Sequence, residues 1–301
     1  MGQHGVGIIL CKALVGDSGV GGGGGGGCGV SVHQSSMRPG SGSTSPMEPG
    51  NREASFTESE SGAASSTEQE YPSGEVQNVF VLLAYLVKQC WATAAQRKGR
   101  ELAGMMKRRK VDILCVQETR WKGSKAHSIG AGFKLFYYGV DSKRNGVGVV
   151  LKEEFVRNVL EVKRVSDRVM SLKLEIEGVM LNVVSGYAPQ IGCELEEKER
   201  FWSELDEVME SIPTGERVVI GADFNGHVGE GNTGDEEVMG KFGVKERKLE
   251  GQMVVDFAKK MDMAVVNNYF QKREEHRVTY KSGGRSTQVD YILCIRGSER
   301  D

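Results

Sequence analysis

From residue 79 onward the chain alternates between two apolar patterns. Short runs of unbroken apolar residues are separated by longer stretches where apolar residues recur every three or four positions. The first pattern suits a strand buried on both faces and the second an amphipathic helix. Val79–Val87 is apolar throughout and fits a short buried strand or a helix segment equally well. Within Arg97–Arg109, Leu102, Met105 and Met106 recur at helical spacing, and the basic end from Lys107 to Lys110 suits the negative end of a helix dipole. Val111–Gln117 is rich in β-branched residues and reads as a buried strand. Phe133–Tyr138, Gly146–Leu151, Phe155–Val165, Val169–Ile176 and Val179–Gly186 read as further strands, the last two joined as a hairpin around Gly178. In that hairpin Leu172, Leu174 and Ile176 share one face, with charged residues on the other. Glu194–Ser211 is an acidic amphipathic helix ended by Pro213, and Leu249–Met261 is a second, with Val254, Val255, Phe257 and Ala258 facing inward. Arg217–Asn225, Met263–Val266 and Gln288–Ile295 complete the strands. Mixed strands and helices in this order predict the α/β (α+β) class, a two-sheet sandwich flanked by helices.

Residues 1–78 follow neither pattern. They are rich in Gly, Ser and Glu, with an unbroken glycine run from Gly21 to Gly27 and a polar stretch from Ser41 to Ser73. Such a segment buries too little apolar surface to offset its ordering entropy, so a disordered tail is expected at 1–78 and a folded domain at 79–301.

Composition then removes several classes. The chain has 301 residues and a net charge of −2, but the charge is segregated: residues 48–75 hold seven glutamates and one arginine, which leaves the domain mildly basic. That balance is compatible with a nucleic-acid partner and equally with an ordinary solvated surface. No apolar run approaches the roughly 20 residues of a membrane span, and Lys12 interrupts the mildly apolar N-terminus, so neither a membrane segment nor a signal peptide is expected. Cys11, Cys28, Cys90, Cys115, Cys193 and Cys294 stand singly with no C-x-x-C pair, which points to free thiols in a reducing compartment. With no targeting signal seen, an intracellular location, nucleus or cytoplasm, is expected.

Polar groups gather where the apolar runs end. Val111–Gln117 runs into Glu118, Thr119 and Arg120; Val179–Gly186 into Tyr187, Ala188 and Pro189; Arg217–Ala222 into Asp223, Phe224 and Asn225; and Asp290 lies inside the apolar VDYIL segment. In open α/β sheets ligands bind where strand ends emerge. A carboxylate among apolar strand residues is costly without a cation or hydrogen-bond donors, so Glu118, Asp223 and Asp290 together suggest a hard-cation site, with Mg2+ as the expected ion and Mn2+ as the alternative.

These segments, CVQETRW, SGYAP, GADFN and VDYIL in this order, resemble the endonuclease/exonuclease/phosphatase superfamily. The stretch from Lys98 to Arg296 is similar in addition to the endonuclease domains of RTE/BovB-type LINE retrotransposons. The resemblance implies a DNase I-like four-layer fold, truncated at its C-terminal end, and a Mg2+-dependent nucleic-acid phosphodiesterase. It implies that Glu118 binds the metal, that Tyr187 contacts the phosphate, and that Asp223 orients the attacking water. Asn225 would stabilise the transition state and Asp290 would hold a catalytic histidine in its working tautomer. Thr279 and Tyr280 match a segment lining the nucleic-acid cleft, and Arg120, Trp121, Lys122 and Arg144 are cleft-loop candidates for contacting DNA, or RNA in its place.

Two superfamily signatures are not matched. The Asn that ends the first strand, usually in a Trp-Asn pair, corresponds here to Trp91-Ala92. The Ser-Asp-His of a closing strand has no counterpart before Asp301. Of His127, His227 and His276, His227 lies nearest the site in sequence and reads as a loop residue. Weak or absent activity is therefore expected, together with a marginal domain whose sheet edge needs covering. The alternative is a non-catalytic remnant that binds nucleic acid or protein. A phosphatase acting on a small molecule fits the same fold less closely.

Overall fold

The computed structural model describes residues 9–14, 79–86, 95–282 and 285–296. All of these belong to one unit, made of Met1–Ser35 and Val76–Asp301. Among the described residues the strands form two six-stranded sheets and one small ribbon. The first sheet contains β1 (Ile9–Leu14), β2 (Val79–Leu86), β3 (Ile113–Gln117), β4 (Gly123–Gly130), β5 (Phe133–Gly139) and β6 (Val147–Lys152), in the spatial order β1-β2-β3-β6-β5-β4. The ribbon pairs β12 (Tyr280–Ser282) with β13 (Arg285–Thr287). The second sheet contains β7 (Val159–Arg164), β8 (Val169–Ile176), β9 (Val179–Tyr187), β10 (Arg217–Asp223), β11 (Met263–Val265) and β14 (Asp290–Ile295), in the order β11-β14-β10-β9-β8-β7. The helices are α1 (Ala95–Arg109), α2 (Glu153–Val156), α3 (Leu195–Glu210), α4 (Leu249–Lys260) and α5 (Glu274–Arg277).

Three apolar layers hold the sheets and helices together. Ile113, Cys115, Val147, Val149 and Leu151 of the first sheet meet Met170, Leu172, Leu174, Val183 and Ile292 of the second. Leu114, Val116, Leu135 and Val150 point the other way, against Leu102, Ala103 and Met106 of α1. Val184, Val218, Ile220 and Leu293 pack on Phe201, Leu205, Val254 and Ala258 of α3 and α4. Central strands are thus buried on both faces, and this is why they read as unbroken apolar runs. Fully burying each such Leu, Ile or Val contributes about 1.5–3 kcal/mol. The result is the helix–sheet–sheet–helix sandwich that the sequence predicts. The β8–β9 hairpin turns at Glu177 and Gly178, whose φ values of 52° and 79° give the doubly left-handed turn suited to twisted strands.

Three elements depart from the sequence reading. Ile9–Leu14, placed in the disordered tail, forms β1 and pairs antiparallel with β2 from Ile9↔Ala84 to Leu14↔Val79. It is a mostly apolar segment, interrupted by Lys12, that covers the backbone edge of β2, the kind of edge a sheet must otherwise protect. The glycine run, the Ser41–Ser73 stretch and Trp91-Ala92 lie outside the described residues. Phe155–Val165 is not one strand: α2 carries Phe155 and Val156 against the inter-sheet core, a turn closes with Asn158 N–H on the Phe155 carbonyl at 3.0 Å, and only then does β7 begin. Gly123–Gly130 is a strand that no apolar alternation announces, because it pairs only with β5 and most of its side chains are exposed.

Candidate functional site

Sheet register builds the site. Tyr187 of β9 is the parallel partner of Asp223 of β10, and Asp223 is the antiparallel partner of Asp290 of β14. Directly paired residues project from the same face, so all three side chains stand side by side on the face turned toward the first sheet. Asp223 and Asp290 are buried, at 0% and 1% exposure. The backbone around Asp290 is fixed by Asn267, whose Nδ2 donates to the Asp290 carbonyl at 2.9 Å while its Oδ1 accepts from Ile292 N–H at 2.8 Å.

The first sheet supplies Glu118. Strand β3 ends at Gln117, and the next turns are left-handed: φ is 51° at Glu118 and 52° at Arg120. Such a conformation costs of order 1 kcal/mol per non-glycine residue and persists only where neighbours impose it. Here Thr119 N–H donates to the Gly146 carbonyl at 3.0 Å and Arg120 N–H to the Asn145 carbonyl at 3.1 Å. Gly146 must be glycine: its φ is 93°, and a Cβ there would sit 2.4 Å from Thr119 Oγ1. The pinned turn presents the buried Glu118 carboxylate to two donors. Tyr187 Oη donates to Oε1 at 2.6 Å, and Arg120 Nη2 donates to Oε2 at 3.1 Å.

Polar stitching beneath these residues ties the sheets together. Gln117 Nε2 donates to the Gly221 carbonyl at 3.0 Å and to Ser185 Oγ at 3.4 Å, and Ser185 Oγ donates to the Val116 carbonyl at 3.3 Å. Cys115 lies one step deeper, where burial pushes its thiol up to about 12. The Tyr187 phenol is likewise held well above its usual range, by burial first and then by the negative charge of Glu118. It therefore stays protonated and acts as a donor.

Asn225 joins the group through its backbone and its amide. At φ 48° its N–H donates to Asp223 Oδ1 at 2.9 Å, and its Nδ2 donates to the Ala188 carbonyl at 2.8 Å, locking the loops after β9 and β10 together. Hydrogen bonds thus join Glu118, Arg120 and Tyr187, and strand register sets Tyr187 beside Asp223 and Asp223 beside Asp290, with Asn225 held to Asp223. Other sequence candidates take different places. Trp121 packs edge-on against Tyr137 and His127, with ring centroids 5.0 and 5.9 Å apart, on the α1 side of the first sheet. The Thr279 hydroxyl is buried and accepts from Val289 N–H at 3.0 Å and Asp290 N–H at 3.3 Å, so it supports the backbone at Asp290. Lys122 and Arg144 are exposed, and Tyr280 is half-buried at the start of β12. His227 turns onto Thr287 Oγ1, 2.7 Å from its Nδ1, and the Gln288 carbonyl at 3.1 Å.

One residue of the cluster escapes sequence reading. Arg168, in the turn before β8, sets its guanidinium 5.2 Å from the centre of the Tyr187 ring, donates to the Tyr187 carbonyl at 3.1 Å, and pairs with Glu197. Its signal is no more than an arginine ahead of an apolar strand. Gln190 also reaches the phenol, with Nε2 donating to Tyr187 Oη at 3.4 Å.

As arranged, this residue set does not fit a divalent ion. Mg2+ is usually held by one or two carboxylates with water and substrate phosphate. Both oxygens of Glu118 already have protein partners, and among the described residues no three His, Cys, Asp or Glu side chains gather to hold a metal.

The chain matches the Endonuclease/Exonuclease/phosphatase family over residues 77–294, and it belongs to that family. Craniofacial development protein 2 from Tragulus javanicus is 27% identical over 192 residues, which cover 63% of this chain and 33% of that protein. The Bos taurus protein of the same name is 27% identical over 192 residues as well. The chain thus spans about a third of the length of these relatives. Among solved structures, the endonuclease domain of TRAS1, a telomere-specific non-LTR retrotransposon, matches with TM-score 0.47 at 14% identity, over 72% of this chain and 85% of that one. The AP endonuclease LMAP from Leishmania major matches with TM-score 0.49 at 13% identity, over 72% and 79%.

Proposed function

We propose that residues 79–301, with Ile9–Leu14 completing the first sheet as β1, form a nucleic-acid phosphodiesterase domain of the endonuclease type, descended from a LINE retrotransposon. Family membership supports hydrolysis of a phosphate ester. The single observation that carries the reading is the meeting of Tyr187, Asp223 and Asp290 at one level of the second sheet, with Glu118 brought to Tyr187 from the first. Phosphodiester hydrolysis needs a positioned water, a proton acceptor and donors aimed at the charge that develops on phosphorus-bound oxygens. In this reading Asp223 orients the water and Asn225 holds the loop that carries it. Tyr187, kept protonated, donates to the phosphate. Asp290 sets the polarity beside Asp223. Arg120, Lys122 and Arg144 meet the backbone phosphates of DNA, or of RNA. No step of this reading runs through Mg2+, or Mn2+ in its place, because both Glu118 oxygens are already held by protein groups.

Activity is expected to be low, and one observation favours a second, non-catalytic reading: each oxygen of Glu118 is held by a protein group. Nicking of supercoiled plasmid by the full chain, with and without Mg2+, separates the two readings. Nicking that Glu118→Ala and Asp223→Ala each abolish supports the enzyme. Salt-dependent DNA binding with no nicking by the folded protein replaces it with the binding module.

A further inference from the structure

Glu118 is flanked by a cation of its own turn. Arg120 lies two residues further along the same left-handed bend, and its guanidinium takes Oε2 at 3.1 Å while Tyr187 takes Oε1. We propose that Arg120 is a tethered cation that competes with a divalent metal ion for Glu118 and so keeps the metal affinity of this site low. The proposal rests on the reading of Glu118 as the cation ligand of the site.

Three features carry it. The first is preorganisation. Arg120 N–H is pinned to the Asn145 carbonyl at 3.1 Å and Thr119 N–H to the Gly146 carbonyl at 3.0 Å, so the chain has already met the entropic cost of bringing this guanidinium to this carboxylate. A free ion has no such advantage. The second is access. The Glu118 side chain is 9% exposed and Arg120 35%, so the guanidinium stands on the more exposed side of the pair, and Tyr187 already binds the other oxygen. A hydrated ion seeking Oε2 meets the guanidinium, and the two like charges cannot share one oxygen without repulsion. The third is the donor count. Among the described residues no cluster of three metal-ligating side chains exists to outbid the arginine. A planar guanidinium also matches the geometry of a carboxylate well.

The test is Mn2+ binding to the full chain, read from the electron paramagnetic resonance signal of free Mn2+. Wild type is compared with Arg120→Gln and Arg120→Ser, and each of these with Glu118→Gln added. Arg120 is 35% exposed at its side chain, and circular dichroism checks that each variant folds. One Mn2+ bound about tenfold more tightly in both folded arginine variants, with the gain abolished by Glu118→Gln, is the expected result. Binding no tighter than wild type, or a gain that survives Glu118→Gln, overturns the proposal. Because the readout is binding, a chain that fails to nick DNA leaves this result intact, and the two readings fail separately.

Discussion

Tyr187 and Glu118 come from different sheets and are joined by a hydrogen bond of 2.6 Å from the phenol to Glu118 Oε1. The bond crosses the sandwich at the point where four strand ends converge. It fixes the carboxylate, and burial first, then the charge of Glu118, keeps the phenol protonated. Tyr187→Phe removes the donor and preserves the ring. The hydrogen bond to a charged acceptor contributes about 1.5–3 kcal/mol, so the urea midpoint should fall by a corresponding amount. If the phenol also meets the developing charge, nicking should fall by about a hundredfold or more. A midpoint shift with unchanged nicking would leave Tyr187 as a structural strut only.

The turn that presents Glu118 should be more sensitive than an ordinary loop. Gly146→Ala forces a left-handed residue and drives a methyl to 2.4 Å from Thr119 Oγ1. Gly178 has a φ of 79° with nothing within 4 Å of an added Cβ, so Gly178→Ala isolates the conformational cost alone. That control should lose about 1 kcal/mol. Gly146→Ala should lose about 2–3 kcal/mol, because strain and clash add. Thermal unfolding of the two variants side by side measures the difference, and equal losses would mean that the 118–120 turn yields freely.

Much of this arrangement is legible in the sequence, for physical reasons that also mark where legibility stops. Leu114 and Cys115 face opposite layers, both apolar, so their strand shows as a continuous run. Val169–Ile176 pairs along its whole length with β9 and was expected at those bounds. Glu118, Tyr187, Asp223 and Asp290 stand out because a polar group at the end of a buried strand needs a reason. Strand β4 shows no pattern, because backbone pairing to β5 holds it and residues such as Lys125 and His127 face solvent. Arg168 is illegible for a different reason. It meets Tyr187 only because Val169 pairs with Gly186, and that register is a property of the folded sheet.

The Arg168–Glu197 pair predicts a pH dependence. Hydrogen bonding from Arg168 holds the Glu197 carboxyl below its usual range. A carboxylate with a depressed value in the folded state stabilises the fold above its unfolded pKa, and that contribution is lost as pH falls through the folded value. The Glu197 side chain is 41% exposed, so solvent screening keeps the effect small. Glu197→Gln should therefore lower the urea midpoint slightly at about pH 7, with the difference shrinking as pH falls below the usual carboxylate range. Arg168→Gln should erase that pH dependence. A Glu197→Gln effect of equal size at every pH would assign the loss to packing.

Asp223 and Asp290 predict the opposite sign of stability change. They are register partners on adjacent antiparallel strands, both buried, with side chains on one face. Were both carboxylates ionised they would repel, and desolvation would add to the cost. If the proposed site needs both charges, keeping them side by side costs stability. Asp290→Asn keeps the shape and removes one charge. It should raise the denaturation midpoint by about 1 kcal/mol or more, while any nicking activity falls steeply. Asp223→Asn should behave in the same way, and the double variant should gain less than the two single gains together, because the first substitution already relieves the repulsion. Urea unfolding of the three variants decides the matter. A loss of stability in Asp290→Asn would mean that the negative charge is itself satisfied in the fold, and that the pair is a structural element of the sheet.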